Sequence, residues 1–287
     1  MKKIGLISNN KNKKAVLIAK EAYDYLKSKK ADVLLLADDT MPLKYNLPAV
    51  STETLRKDID YLISVGGDGT FLRAAHYCFK RQIPVMGINV GKLGFLAEIG
   101  SHDYATAIDS LLNDSFKVEE RMLLELDIIN KEGKNKKNFE KLFSLNEFVI
   151  SRNAAGKILD IEIVINGFVF NEIRADGIIV STPTGSTAYS LSAGGPIVDP
   201  GSSVVIVTPI CPHSLFSRST VISLDNSLRI KLKSKNGRDV LSSDGVRQNT
   251  ELDAGDELIF KKSNIKLKLI TFEENLFFKV CKEKLIK

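Results

Sequence analysis

Asp60-Tyr61-Leu62-Ile63-Ser64-Val65 runs directly into Gly66-Gly67-Asp68-Gly69-Thr70. The first six residues have the length and apolar content of a buried strand, and the glycines end it. Beyond them Phe71, Ala74, Ala75, Cys78 and Phe79 recur at helical spacing, and Ile83-Pro84-Val85-Met86-Gly87-Ile88 reads as the next strand. Upstream, a strand at Ile4 to Ser8 is followed by a helical stripe of Ala15, Ile18, Ala19, Ala22 and Leu26, then by a strand at Val33 to Ala37. Alternating strands and helices imply a parallel sheet covered on both faces, a Rossmann-like α/β domain whose ligands bind beyond the carboxyl ends of its strands. The glycine cluster stands at one such end.

From about Val118 the pattern changes to runs rich in Ile and Val, at Leu123 to Ile129, Leu142 to Ile150, Ile158 to Ile165 and Gly177 to Val180. More follow at Val204 to Val207, Val221 to Ser223, Leu228 to Lys233, Glu257 to Phe260 and Ile265 to Ile270, with a turn at Asp253-Ala254-Gly255-Asp256. The fold class expected is therefore α/β + β, an N-terminal Rossmann-like domain followed by a β-rich, β-sandwich-like one. The lysine-rich stretch from Lys131 to Lys141 reads as a solvated hairpin tip, and Glu274 to Leu285 as a helix. A chain of 287 residues has the length of two units of about 150. With no Pro/Gly/Ser-rich linker between them, the units are expected to pack closely.

Composition removes several classes of function. Hydrophobic residues at 44% and charged residues at 26% exclude wholesale disorder. The net charge of +6, spread over many segments, suits an anionic small molecule and demands no nucleic acid. Cys78, Cys211 and Cys281 are far apart without a Cys-x-x-Cys pair, which argues against a disulfide framework or zinc ribbon and fits a reducing cytoplasm. No segment has the length of a membrane span, and Ile4 to Ile7 is too short for a signal peptide core.

Glycines between a strand end and a helix start let backbone approach a phosphate and aim N–H groups at it. An aspartate within that cradle would repel the anion, so Asp68 either bridges through a metal ion or takes a proton from an attacking hydroxyl. The bland alternative is that Asp68 caps the helix. Gly87 to Leu93 is not a Walker A loop, since Leu93 stands where Ser or Thr is required, and Leu72 breaks the dinucleotide fingerprint. A second cluster, Ser181 to Pro196, is dense in hydroxyls, and Tyr189 offers a stacking face; a capped turn is the bland reading. Asn146-Glu147 and Arg174-Ala175-Asp176-Gly177 bring amide, carboxylate and guanidinium groups to strand ends. His76, His102 and His213 show no ligand spacing; solvated or capping roles are expected for His76 and His102 and a structural one for His213.

The ordered set of Gly66 to Thr70, Leu93-Gly94-Phe95-Leu96, Asn146-Glu147, Arg174 to Gly177, Thr182 to Pro196 and Asp244-Gly245 resembles the NAD kinase family over nearly the whole chain. The resemblance implies domains at 1–118 and 119–270, with 271–287 returning to the first domain. It also implies transfer of the γ-phosphate of ATP to the adenosine ribose 2′-hydroxyl of NAD, giving NADP, with Mg2+ or Mn2+ and no dedicated protein ligand named for it. Asp68 matches the proton acceptor, Gly69 and Arg73 the phosphate side, Asn146 and Glu147 the riboses and adenine, and Asp176 the nicotinamide end. Thr187, Ala188, Tyr189, Ser190, Leu191 and Ser192 would line the adenine region. Lys157 and Arg174 match basic substrate contacts, and Gln248 follows Asp244-Gly245 only after Val246-Arg247. The resemblance further implies a homodimer or homotetramer; with the readings above, the expectation is a cytoplasmic protein without membrane or nucleic-acid partners. A lipid or sugar kinase sharing the Gly-Gly-Asp-Gly-Thr motif and a non-catalytic NAD(P) sensor are the alternatives.

Overall fold

The structure, a computed structural model, describes residues 2–136, 141–153, 158–214, 218–233 and 239–286. The chain begins with β1 (Lys3–Ser8), α1 (Lys13–Ser28), β2 (Asp32–Leu35), α2 (Thr40–Tyr45), α3 (Thr52–Asp58) and β3 (Tyr61–Gly66). It continues through α4 (Asp68–Cys78), β4 (Val85–Asn89), β5 (Ile99–Gly100) and α5 (Tyr104–Leu112). Then come β6 (Lys117–Ile129), β7 (Leu142–Ser144), β8 (Glu147–Ser151), β9 (Leu159–Ile165), β10 (Phe168–Ala175), β11 (Gly177–Ser181) and α6 (Tyr189–Ser192). The remainder is β12 (Val204–Ile210), β13 (Thr220–Ser223), β14 (Leu228–Leu232), β15 (Asp239–Ser243), β16 (Val246–Leu252), β17 (Glu257–Thr271) and α7 (Leu276–Leu285).

Two units result, Met1–Arg121 with Ile265–Lys287, and Met122–Asn264. The second limit falls short of residue 270 because Leu269 pairs in parallel with Val85, and Lys266 bonds to Gln82 and Glu120. In the first unit β2, β1, β3 and β4 lie side by side and parallel. Ile4 and Leu6, Ile63 and Val65, and Met86 and Ile88 alternate along their strands and cluster with Ala15, Ala19, Ala22 and Leu26 of α1 and Ile108 and Leu111 of α5. Asn12 starts α1 by accepting the Lys14 and Ala15 N–H groups. Phe71 of α4 comes so close to β4 that a side chain on Gly87 would meet its ring at 2.9 Å and Ala97 Cα at 2.7 Å. Since β2 lies on one side of β1 and β3 on the other, the loops after β1 and β3 diverge and open a crevice between them.

The second unit is a sandwich. One antiparallel layer runs β10, β9, β14, the first half of β17, β6 and β7; the other runs β13, β12, β11, β8, β15 and β16. Inward residues at period two fill the space between them, including Ile161 and Ile163, Ile178 and Val180, and Ile230 and Leu232. Phe148 and Phe260, both fully buried, meet with ring centroids 5.9 Å apart. The α/β + β reading holds, with local differences. The run Leu142 to Ile150 is two strands, interrupted at Leu145 and Asn146. The runs Glu257 to Phe260 and Ile265 to Ile270 are one strand, and β10, β15 and β16 have no counterpart in the sequence reading. Within the lysine-rich stretch, of which 137–140 lie outside the described residues, Lys136 is no solvated tip: its ammonium bonds Asp253 at 3.0 Å and Asp256 at 2.5 Å.

Candidate functional site

In the first unit, Asp68 does not cap its helix. Gly67 occupies the cap position in extended geometry, and its carbonyl accepts from the Thr70 and Phe71 N–H groups. The Asp68 carboxylate reaches sideways to another loop, where Phe95 N–H donates to Oδ2 at 2.9 Å and Leu96 and Ala97 N–H donate to Oδ1 at 3.1 Å each. That loop is shaped for the contact. A Cβ on Gly94 would overlap Asp68 Oδ1 and lie 2.9 Å from its Cγ. Asn89 braces the loop, its amide donating to the Ala97 carbonyl at 3.1 Å and its Oδ1 accepting from Gly91 N–H at 2.8 Å. A carboxylate has about four lone-pair sites, so three amides fix its orientation and still leave it able to accept from a ligand. Gly94→Ala is expected to displace the carboxylate and lower kcat by about a hundredfold while the protein stays folded; a variant with wild-type kcat would show that the cradle does not matter.

Beside Asp68, the loops after β1 and β3 enclose a cleft of about 450 Å³ lined by Asn9, Asn10, Lys11, Gly67, Gly69, Thr70 and Arg73. This is the crevice where the strand order reverses, and Gly69 and Thr70 of the first turn of α4 line it. Arg73 lines it in a fixed pose, donating to Asp39 at 2.9 Å and to the Ser8 carbonyl at 2.6 Å. Asp39 is buried and also accepts the Ser8 N–H at 2.7 Å. Burial pushes its carboxyl above the ordinary range, opposed by the Ser8 N–H and the Arg73 charge.

In the second unit, Glu147 opens β8 directly opposite Ser181 at the end of β11. The segment before it has no ladder of its own because Asp244 takes its donors: Ser144 Oγ at 2.5 Å, and the N–H groups of Leu145, Asn146 and Glu147 at 2.9, 2.7 and 3.2 Å. Asp244 and Gly245 both have positive φ, +48° and +78°, as the two-residue hairpin turn between β15 and β16 requires. Thr182 fastens the same segment from the other side, through its hydroxyl to the Leu145 carbonyl at 2.5 Å and its N–H to Asn146 at 2.8 Å. Gly185 then packs on Asn146 so closely that a Cβ would overlap its carbonyl.

Glu147 itself is 5% exposed, and its Oε2 has no hydrogen-bond partner among the described residues; neither has Thr184 Oγ1. Its pKa is pushed up to about 7, chiefly by burial and then by the charge of Asp244, against the Tyr189 N–H that favours the anion. Native interiors rarely leave such atoms unpaired, so an orphaned carboxylate oxygen and hydroxyl mark a place for a polar ligand.

Sequence profiles of the ATP-NAD kinase N-terminal and C-terminal domains match residues 4–116 and 145–272. The NAD kinase of Natranaerobius thermophilus is 35% identical over 99% of this chain and 98% of its own, and that of Chlorobium limicola 37% identical over 99% and 96%. The chain belongs to the NAD kinase family. Yeast NADH kinase, solved with NADH, superposes with a TM-score of 0.89 at 25% identity, covering 99% of this chain and 87% of its own. An Archaeoglobus fulgidus NAD kinase solved with ATP shares the fold, with a TM-score of 0.76 at 24% identity over 97% and 96%.

As an ATP-dependent kinase family, NAD kinases need a donor site and an acceptor site, and the remaining expected residues sort unevenly. Asn146 and Glu147 are adjacent at the start of β8, and the Tyr189 N–H reaches the Glu147 carboxylate. Tyr189 is exposed, Ser192 is exposed, and Thr187, Ala188 and Leu191 are half-buried. Ser190 is fully buried, with its hydroxyl on that of Thr208 at 3.1 Å. Asp176 pairs with Arg152 at 2.9 Å and Arg174 with Asp160 at 2.9 Å. Gln248 donates to the Val246 carbonyl at 2.9 Å and lines a polar recess of about 360 Å³ with Asn153, Asp239 and Arg247. Lys157 lies outside the described residues. Among the described residues no three His, Cys, Asp or Glu side chains gather as a metal cage. Asp39 and Asn89 were not anticipated, and Asp244 entered only as part of the Asp244-Gly245 motif, without its role as the acceptor that holds residues 144–147.

Proposed function

We propose that this kinase transfers the γ-phosphate of ATP to the 2′-hydroxyl of the adenosine ribose of NAD, with Asp68 as the base. The carrying observation is the carboxylate held by three amides beside a glycine-lined cleft. A ribose hydroxyl is a poor nucleophile at neutral pH, and a fixed carboxylate within hydrogen-bond reach takes its proton as the P–O bond forms. The α4 N-terminus, Gly69, Lys11 and Arg73 stabilise phosphate charge in the cleft. Asn146, Glu147, Thr184 and the Thr187 to Ser192 segment hold the adenosine, Glu147 and Thr184 through the atoms now unpaired. Asp176, Arg174, Lys157 and Gln248 belong to the dinucleotide's periphery in the same reading.

A divalent cation fits this donor set in the mode in which Mg2+ rides on substrate phosphates and takes few protein ligands, since among the described residues no carboxylate cluster gathers at the cleft. Bound there, it would neutralise phosphate charge. An exposed apolar edge at Phe168, Val169 and Phe170 of β10 supports a homo-oligomer, which a monomeric sedimentation coefficient would overturn. The three unpaired cysteines suit a reducing cytoplasm, and no described helix has the length and apolarity to cross a membrane. Purified protein given ATP, Mg2+ and NAD is expected to form NADP, read by an NADP-specific dehydrogenase. Phosphate transfer to diacylglycerol or a sugar phosphate but not to NAD would favour the lipid or sugar kinase, and NAD binding without ATP consumption the sensor.

A further inference from the structure

The loop whose amides hold Asp68 is itself gripped from the far end of the chain. Phe95 packs against Phe277 of α7, ring centroids 5.8 Å apart, and carries the Lys284 ammonium 5.3 Å above its ring. Three residues on, buried Glu98 accepts the Thr271 hydroxyl at 2.9 Å on Oε2 and the Phe272 N–H at 2.8 Å on Oε1. Phe277 is itself buried, 7% exposed. The amides at 95, 96 and 97 thus lie between two anchors, an aromatic one at residue 95 and a carboxylate one at residue 98, and both anchors reach the segment 271–284. Neither anchor touches the cleft lined by Asn9 to Lys11, Gly67, Gly69, Thr70 and Arg73. What they set is the position of the loop, and through it the direction of the Asp68 carboxylate.

We propose that Phe277 and Glu98 are positioning residues for Asp68, so that the returning segment and α7 form a clamp on the cradle of the base. This rests on the reading of Asp68 as the proton acceptor. A clamp that acts through the base alters the chemical step and leaves substrate binding alone, because a misplaced catalytic group costs rate even when the displacement is small.

The test uses the full chain with Phe277→Ala, Phe277→Leu, Glu98→Gln and Asp68→Asn, each checked for a cooperative unfolding transition. Phe277→Ala and Glu98→Gln are expected to lower kcat by about tenfold with KM for ATP and NAD within about twofold of wild type. Phe277→Leu keeps apolar bulk against Phe95 and is expected to retain at least about half of kcat. Amide exchange at Phe95, Leu96 and Ala97 should quicken in Phe277→Ala, and adding Phe277→Ala to Asp68→Asn should cost no further rate, since both act on one group. Unchanged kcat with unchanged exchange at these amides would overturn the clamp, as would a rate loss that adds fully to that of Asp68→Asn. Wild-type turnover by Asp68→Asn would overturn the base instead, and amide exchange would then decide the clamp alone.

Discussion

Asp68→Asn is expected to cut kcat by about a thousandfold or more and to leave NAD binding close to that of wild type. The amide keeps one acceptor oxygen for Leu96 and Ala97 but turns an NH2 toward the Phe95 N–H, so about 1–2 kcal/mol of stability is lost as well. That is too little to unfold a domain, and the loss of rate is therefore chemical. Asp68→Glu offers no rescue, because the longer chain drives its carboxylate into the space that the missing Gly94 side chain leaves only just open. Steady-state kinetics with calorimetric NAD binding checks both variants. A purified Asp68→Asn enzyme with wild-type kcat would remove this carboxylate from the mechanism.

Glu147 carries the second large effect, and it appears in stability. Its carboxyl titrates near 7 in the folded chain and near 4.5 when free of it. Between those values the folded state holds the extra proton, so unfolding free energy falls as pH rises from about 4.5 to about 7 and then levels off. At about 1.4 kcal/mol per unit, the interval amounts to roughly 3 kcal/mol at pH 8. Glu147→Gln cannot ionise and escapes this loss. Urea unfolding of both proteins at pH 5 and pH 8 should show the variant gaining about 2.5 kcal/mol on wild type between the two conditions, since part of the loss is already present at pH 5; parallel pH profiles would rule it out. The same residue is expected to bind NAD less well as glutamine, because the orphaned Oε2 is lost as an acceptor. Stability given up at a carboxylate that the proposed function assigns to binding is the trade-off that functional sites repeatedly show.

What could be read from residues alone depended on whether the cause was local. Tyr61 to Gly66 and the helix after Asp68 were legible because burial, glycine and period all act within one short stretch. β10 was not, since Phe168 and Phe170 point outward on an edge strand and a bulge between Val169 and Asn171 breaks the alternation. β16, Val-Arg-Gln-Asn-Thr-Glu-Leu, has almost no apolar side to detect. The break between β7 and β8 is imposed by Asp244, about a hundred residues away in sequence. In the candidate site, Asp68 could be singled out from its glycine turn, but its three donors come from a loop that no local pattern links to it. Ser190 stands in a run of hydroxyls, and only packing reveals its bond to Thr208.

Strand β17 carries the chain out of the second unit and supplies the first with its Leu269 edge and, just beyond, α7. During synthesis, then, the amino-terminal sheet stands without its Leu269 partner beside Val85, and Phe95 without Phe277, until the intervening sandwich has been made.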